Sequence, residues 1–258
     1  MKLTDYKNLY GLIGEYLSYS FSQKYFAEKF AAENRTDSFY ELFPFSPISA
    51  IDQLIAQHPN LRGLNVTIPY KQQVFDFLDE INPDAAEIGA VNTIKFVDGK
   101  RIGYNTDHYG FRTSLLGMVP IGETLPKHAL ILGTGGAAKA VTYVLKKEGI
   151  QYMNVSRTPG ADKITYKDLN EDILQKHRLI INTTPLGTYP NVNTLPDLPY
   201  KALTDQHYLY DLVYNPEVTG FLAKGNSVGS KTRNGLEMLS LQAEKAWEIW
   251  NHEDLGDF

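Results

Sequence analysis

The run Gly133-Thr134-Gly135-Gly136-Ala137-Ala138 sits between a short apolar stretch, HALIL, and a helical pattern that closes at Gly149. That is the context a dinucleotide fingerprint requires. Gly133 permits a tight turn, Gly135 lets backbone N–H groups approach a pyrophosphate, and Ala138 is small enough for the helix to lie on the strand. The helix N-terminus, with Gly136 and Ala137 in its first turn, then faces the phosphates with its partial positive charge. The alternative is a glycine-rich turn that binds nothing. About twenty residues further on, a fold that binds NAD presents a carboxylate to the ribose 2′-hydroxyl. Here the chain reads Ser156-Arg157-Thr158. A guanidinium pairs with a 2′-phosphate through two parallel charge-assisted bonds, so the segment leans toward NADP; otherwise Arg157 is a solvated loop residue.

Further segments carry polar residues that core packing does not ask for: Ser18-Tyr19-Ser20, Asn65 to Thr67 with Lys71 following, Asn92-Thr93, and Asn105-Thr106-Asp107. Open α/β sheets bind ligands beyond the carboxyl ends of their strands, where these segments would converge on one crevice. Each also has a local explanation. Ser18 and Ser20 suit helix caps, Thr67 suits a turn, Asn92 can satisfy the backbone, and Lys71 can lie on the surface of a first helical turn.

What would position these residues is an alternation of short β-rich runs with amphipathic helical patterns, the signature of an α/β protein. Up to residue 107 it predicts strands at 9–14 and 38–43, helices at 22–32 and 50–57, and the run LRGLNVT. A helix opens after Pro69, and a hairpin turns through Val97-Asp98-Gly99. After a turn-rich stretch at 121–127, HALIL starts a second, doubly wound series with strands at 151–156, 178–182 and 208–212. Each is short and apolar, as in a sheet covered on both faces. Leu236, Leu239, Ala243, Ala246 and Trp250 recur at helical spacing near the end, and this last helix is expected to return to the first domain.

Composition narrows the classes. Of 258 residues, 43% are hydrophobic and 21% charged, which favours neither disorder nor a fibrous repeat. A net charge of -5 argues against a nucleic-acid or anionic-membrane surface. The absence of cysteine removes disulfides, thiolate zinc sites and cysteine nucleophiles, and the six histidines show no ligand-like spacing, so no metal is expected. The N-terminus lacks the apolar core of a secretory signal, and no stretch approaches the roughly 18 apolar residues of a membrane span. A cytoplasmic protein is the expectation.

Taken in order, SYS, GLNVTIPYK, GAVNT, GYNTDHYGF, ILGTGGAAKA, SRT, INTTPLGT, DLVYNPEVTGFL and NGLEMLSLQAEKAWEIW resemble the shikimate dehydrogenase family over nearly the whole chain. The resemblance implies reversible, NADP-dependent reduction of 3-dehydroshikimate to shikimate, a step toward the aromatic amino acids, by a monomer or homodimer. It implies a substrate-binding and catalytic α/β domain at 1–107, completed by the C-terminal helix at 235–258, and a Rossmann-type NADP-binding domain at 108–234. Lys71 and Asp107 would be the catalytic pair. Ser18 and Ser20 would hold the substrate carboxylate, Thr67, Asn92 and Gln242 the ring hydroxyls, and Tyr214 would line the pocket near the nicotinamide. Thr183, Leu212 and Gly235 would join the glycine loop and residues 156–158 around the cofactor.

The chemistry agrees with that assignment. Hydride arriving at a ketone puts negative charge on oxygen, which the Lys71 ammonium can stabilise and protonate while Asp107 holds the ammonium and orients the ring. Which of the two carries the proton stays open, because a coupled pair titrates as a unit. There are departures from the family pattern. Phe21, Lys24 and Tyr25 stand where a proline and a His-Asn-like pair are usual, which bears on substrate entry. Ala161 stands where a second arginine is frequent, so a looser grip on the 2′-phosphate is expected. Glu237 replaces a small residue, with no explanation from sequence. Three other readings compete: a quinate-using relative preferring NAD, opposed by the two serines and Arg157; a noncatalytic NADP-binding regulator, opposed by Lys71 and Asp107; and an enzyme of folate interconversion, which would not explain SYS and NTD together.

Overall fold

From Leu9 onward every residue of the first strand, β1 (Asn8–Gly14), is buried, which is why the run LYGLIG carries no charge. Helix α1 (Phe21–Ala32) follows, with Phe26 and Phe30 one turn apart on its buried face, and then β2 (Ser38–Pro44), α2 (Ile51–Gln57) and β3 (Leu61–Val66). The strands β1, β2 and β3 are parallel. Next come one turn of helix, α3 (Tyr70–Gln73), a short strand β4 (Glu80–Ile81), α4 (Pro83–Ile88), and the hairpin of β5 (Thr93–Val97) and β6 (Lys100–Tyr104). Asp98 and Gly99 sit at φ of 50° and 76°, the pair of positive angles that an Asp-Gly hairpin turn uses. The sheet runs β2-β1-β3-β5-β6-β4, with β5 antiparallel to both neighbours. The carboxyl ends of β1, β3 and β6 therefore share one end of the sheet with the start of β5.

The structure is a computed structural model and describes residues 2–17 and 20–252. Ser18 lies outside the described residues. Helix α5 (Asp107–Gly117) opens a second series: β7 (His128–Leu132), α6 (Gly136–Lys147), β8 (Gln151–Ser156), β9 (Lys163–Thr165), α7 (Glu171–Lys176), β10 (Leu179–Asn182), β11 (Tyr208–Asp211), α8 (Gly220–Asn226) and β12 (Lys231–Arg233). All its pairs are parallel, in the order β12-β11-β10-β7-β8-β9. Read from β9, this is the 3-2-1-4-5-6 order of doubly wound nucleotide-binding sheets, with the switch point between β7 and β10.

β8 and β9 depart from the rule that parallel neighbours need a crossover of a dozen or more residues. Only residues 157–162 join them. That length suffices because β9 pairs with just the end of β8, as Asn154↔Lys163, Val155↔Ile164 and Ser156↔Thr165. The sequence reading contains neither β9 nor β12, since strands of three residues are too short to show a period.

The chain divides into two compact units between Thr106 and Asp107, and again between Leu241 and Gln242. The second crossing lies inside the last helix, α9 (Leu236–Asn251), not at 235 where the sequence alone puts it. Packing accounts for this. Ala243, Ala246, Trp247 and Trp250 cluster with Tyr10, Phe26, Phe30 and Tyr40 of the first unit, whereas Glu237, on the first turn, is bonded to Ser114 and Arg233 of the second. Trp250 donates its indole N–H to the Ile94 carbonyl (3.0 Å) and fills space that Gly63 leaves free. Truncating a tryptophan packed this way costs roughly 3–5 kcal/mol. No helix among the described residues is long and apolar enough to cross a membrane.

Candidate active site

In the second unit the turn after β7 is held from both sides. The Gly133 N–H donates to the Val155 carbonyl (2.9 Å), and both the N–H and the hydroxyl of Thr183 donate to the Leu132 carbonyl (2.9 and 2.8 Å). Gly133 has φ of 107°, and a Cβ there would stand 2.8 Å from the Thr183 hydroxyl oxygen. Only glycine fits that turn. Gly135 then caps α6 without any side-chain bond, and a Cβ at 135 or 136 would meet nothing within 4 Å. The start of the helix thus has open space beside Gly135 and Gly136, room that an anion site needs.

A cavity of about 770 Å³ lies beside this loop. Of the expected cofactor residues, Gly133, Gly135, Ser156, Arg157, Thr158 and Thr183 line it, whereas Gly136, Ala137, Leu212 and Gly235 do not. The Ser156 hydroxyl accepts the Thr158 N–H (3.3 Å), which turns the chain just beyond β8 so that Arg157 projects from the bend, exposed. Lys163 and Tyr166 also line the cavity; the sequence reading missed both, because the strand carrying Lys163 has no pattern to reveal it. Burial raises the Tyr166 phenol above its ordinary range, with Arg157 acting the other way. Exposed helix N–H groups, hydroxyls and cations, with no carboxylate in the lining, fit a ligand carrying several phosphates.

Behind the loop, Asn182 and Asp211 tie the strand ends together. The Asn182 amide donates to Asp211 (2.9 Å) and its oxygen accepts the Thr184 N–H (3.0 Å), while Asp211 also accepts from the Val213 N–H (3.0 Å) and the Thr219 hydroxyl (2.6 Å). Burial pushes the Asp211 carboxyl up to about 6, although all three bonds favour its anion. Leu212 and Gly235 come together here, because a Cβ on Gly235 would overlap the Leu212 carbonyl. Tyr214, half-buried, follows two residues later in this same unit.

In the first unit, Thr67, Asn92 and Asn105-Thr106 gather at one end of the sheet. Asn92, 3% exposed, accepts the Thr106 N–H (2.7 Å) and the Thr93 hydroxyl (3.1 Å) and donates to the Thr106 hydroxyl (3.0 Å). That hydroxyl is 3.4 Å from the Gln242 side-chain oxygen, which brings Gln242 of α9 into the same network. The Lys71 carbonyl accepts the Val91 N–H (2.7 Å), fixing the lysine backbone beside Asn92. Thr67 donates its N–H to Ile13 (3.0 Å), and its carbonyl accepts the Tyr70 N–H (2.9 Å) that starts α3. Ser20 is the cap of α1, its hydroxyl accepting the Gln23 N–H at 3.4 Å. Asp107, by contrast, is the first residue of the second unit, so the unit boundary separates it in the chain from Lys71.

The departures noted in the sequence also have places. Tyr25 donates its hydroxyl to Glu244, which Lys29 also pairs with at 2.9 Å, so Tyr25 ties α1 to α9. Lys24 points to solvent, 68% exposed. Glu237 accepts from the Ser114 hydroxyl (3.0 Å) and pairs with Arg233, whose guanidinium also donates to the Gly117 carbonyl (3.0 Å). Within the second unit it therefore links α5, β12 and α9. Among the described residues, no group of three or more His, Asp or Glu is placed to hold a metal ion.

A doubly wound parallel sheet with a bare helix N-terminus at its switch point and a basic side chain after its second strand defines a two-unit protein of the Rossmann dinucleotide-fold class. Comparisons narrow the class. A family profile described as the shikimate dehydrogenase substrate binding domain matches residues 12–94. The shikimate dehydrogenase (NADP(+)) of Carboxydothermus hydrogenoformans is 37% identical over 270 residues, covering 97% of this chain and 94% of that one. The shikimate dehydrogenase (NADP(+)) of Clostridium beijerinckii is 42% identical over 258 residues, covering 96% and 93%. A crystal structure of shikimate 5-dehydrogenase from Thermus thermophilus, in complex with NADP(H) and shikimate, superposes with a TM-score of 0.81 at 30% identity, covering 95% and 93%. The chain belongs to the shikimate dehydrogenase family.

Proposed function

We propose that this chain catalyses the reversible, NADP-dependent reduction of 3-dehydroshikimate to shikimate, on the route to the aromatic amino acids. The observation that carries the reading is identity of 37% and 42% to NADP-dependent shikimate dehydrogenases over nearly the full length, so that both units are included. NADPH, when bound, supplies the hydride. The α6 N-terminus receives the pyrophosphate and Arg157 the 2′-phosphate, while Thr183, Leu212 and Gly235 border the rest of the cofactor. Ser18 and Ser20 hold the substrate carboxylate, Thr67, Asn92 and Gln242 hold ring hydroxyls, and Tyr214 borders the nicotinamide end. At the ketone, the Lys71 ammonium stabilises the developing alkoxide, the Lys71 and Asp107 pair supplies the proton, and Asp107 orients the ring through a hydroxyl. The enzyme works in the cytoplasm as a monomer or homodimer.

A quinate-using, NAD-preferring enzyme is the second reading. It would present a carboxylate to the 2′-hydroxyl, and the cavity lining holds Arg157 and Lys163 instead. Incubating the purified chain with shikimate or quinate, each with NADP or NAD, and following the absorbance of the reduced nicotinamide separates the readings. Shikimate with NADP should turn over fastest. Faster turnover of quinate with NAD, or none with any pair, would overturn the proposal.

A further inference from the structure

Arg157 and Lys163 are the charged residues among those lining the cavity beside the glycine loop. Neither is ion-paired with an Asp or Glu among the described residues. The lining of this cavity holds these two positive charges and no acid, while Asp197 lines the adjoining cavity with Arg157 and Asp162 precedes Lys163 in the chain. Like charges facing one space repel, and a doubly charged anion between them turns that repulsion into attraction from both sides.

Strand pairing explains how the two meet. Lys163 opens β9 in register with Asn154, and Arg157 leaves β8 directly after Ser156. The connection at 157–162 contains no helix to hold the two side chains apart. Gly160 adds to this, because the Lys163 stem lies where a side chain at 160 would be, with Cγ only 3.2 Å from an ideal Cβ. The lysine is thus folded back toward the loop that carries Arg157. Ala161, which brings no charge, is exposed in the same loop.

We propose that Lys163 is the second cation of the 2′-phosphate site and that, with Arg157, it sets the preference for NADP over NAD. The inference rests on the NADP reading above and replaces the looser grip expected from Ala161. The two cations contribute differently. Arg157 offers a planar, bidentate face, whereas Lys163 adds a point charge that needs no fixed approach. Its target is the phosphate that NAD lacks, not the pyrophosphate that both cofactors share.

Titration calorimetry of the full chain with NADP and with NAD tests this on the wild type, Lys163→Met, Lys163→Arg and Arg157→Ala. Methionine keeps the aliphatic stem over Gly160, and unfolding midpoints verify that each variant is folded. Lys163→Met should weaken NADP about 10-fold and NAD less than about 2-fold, and Lys163→Arg should restore NADP to within about 3-fold. The salt dependence of NADP binding should become shallower in Lys163→Met. Equal losses for both cofactors would put Lys163 on the pyrophosphate and overturn the assignment. An unchanged NADP affinity would overturn it too, and if Arg157→Ala still lost NADP selectively, the NADP reading itself would stand. A wild-type chain that bound NAD as tightly as NADP would overturn both.

Discussion

Asn92 in the first unit and Asn182 in the second hold comparable places, each buried where its sheet meets the loops that carry candidate site residues. Their partners differ. Asn92 bonds to the neutral groups of Thr93 and Thr106, the latter meeting Gln242, while Asn182 donates to a carboxylate, Asp211. A hydrogen bond between neutral amide and hydroxyl groups is satisfied equally at every ordinary pH. A buried carboxyl is not, because ionising it away from water costs free energy that three hydrogen bonds only partly offset. The strand ends of the second unit are therefore tied by a group that titrates. The comparison also separates holding from reacting: Asn92 and Asn182 pin backbone, and the reacting group assigned in the first unit is Lys71.

The largest effect expected tests that last separation. Lys71→Ala should lower turnover by roughly 100-fold or more while leaving shikimate binding largely intact, since it removes a group acting on charge that develops only in the transition state. Steady-state kinetics with a shikimate binding titration decide it, and near-normal turnover would end the assignment.

Next in size is the pH dependence of the second unit. The folded-state pKa of Asp211 is raised from 3.8 to about 6, so its contribution to stability is fully present below 3.8 and is lost as pH rises through about 6. His177 and His207, lowered by burial, act in the opposite sense, contributing above the ordinary histidine value and losing that contribution as pH falls. They are common to wild type and an Asp211→Asn variant, so the difference between the two proteins isolates Asp211. Between roughly pH 4 and pH 7 that difference should move against the wild type by on the order of 2–3 kcal/mol. Denaturant melts across the range measure it, and a flat difference would mean that Asp211 stays as well solvated as a surface carboxylate.

Smaller still is the contrast between a side chain and its absence. Asn92→Ala leaves the Thr106 N–H buried without its acceptor and should destabilise the protein by about 1–3 kcal/mol, as denaturant melts would show. Gly135→Ala adds a methyl where nothing in the protein lies within 4 Å and where φ is already -77°. It should change stability by less than about 1 kcal/mol in either direction yet weaken NADP binding, because the methyl occupies the pyrophosphate's approach. Unchanged stability in the first variant, or full NADP affinity in the second, would break the comparison.

Features with local causes were legible in the sequence. The turn at Gly133, the helix after it and the Asp98-Gly99 hairpin each depend on residues next to one another, and so does the burial of β1, β7, β10 and β11. Features made by contact across the chain were not. Asp211 reads as the end of an apolar strand until Asn182 and Thr219 are seen beside it, and Lys163 reads as a loop lysine until β9 pairs with β8. Glu237 had no account from sequence because Ser114 and Arg233 reach it through space. The crossing within α9 was missed for the same reason, since one unbroken helical period cannot show that its two ends pack in different surroundings. Ser20 reads equally as a cap or a ligand, and its bond to Gln23 is a cap.

The packing of Trp247 and Trp250 also bears on how the protein is made. A chain leaving the ribosome from its N-terminus exposes Tyr10, Phe26, Phe30 and Tyr40 early, yet the helix that covers them is synthesised about two hundred residues later. Residues 107–241 are contiguous and have their whole sheet before Trp247 emerges. Of the two units, the one begun first is thus completed second, and until then its aromatic cluster is open to chaperones and to other nascent chains.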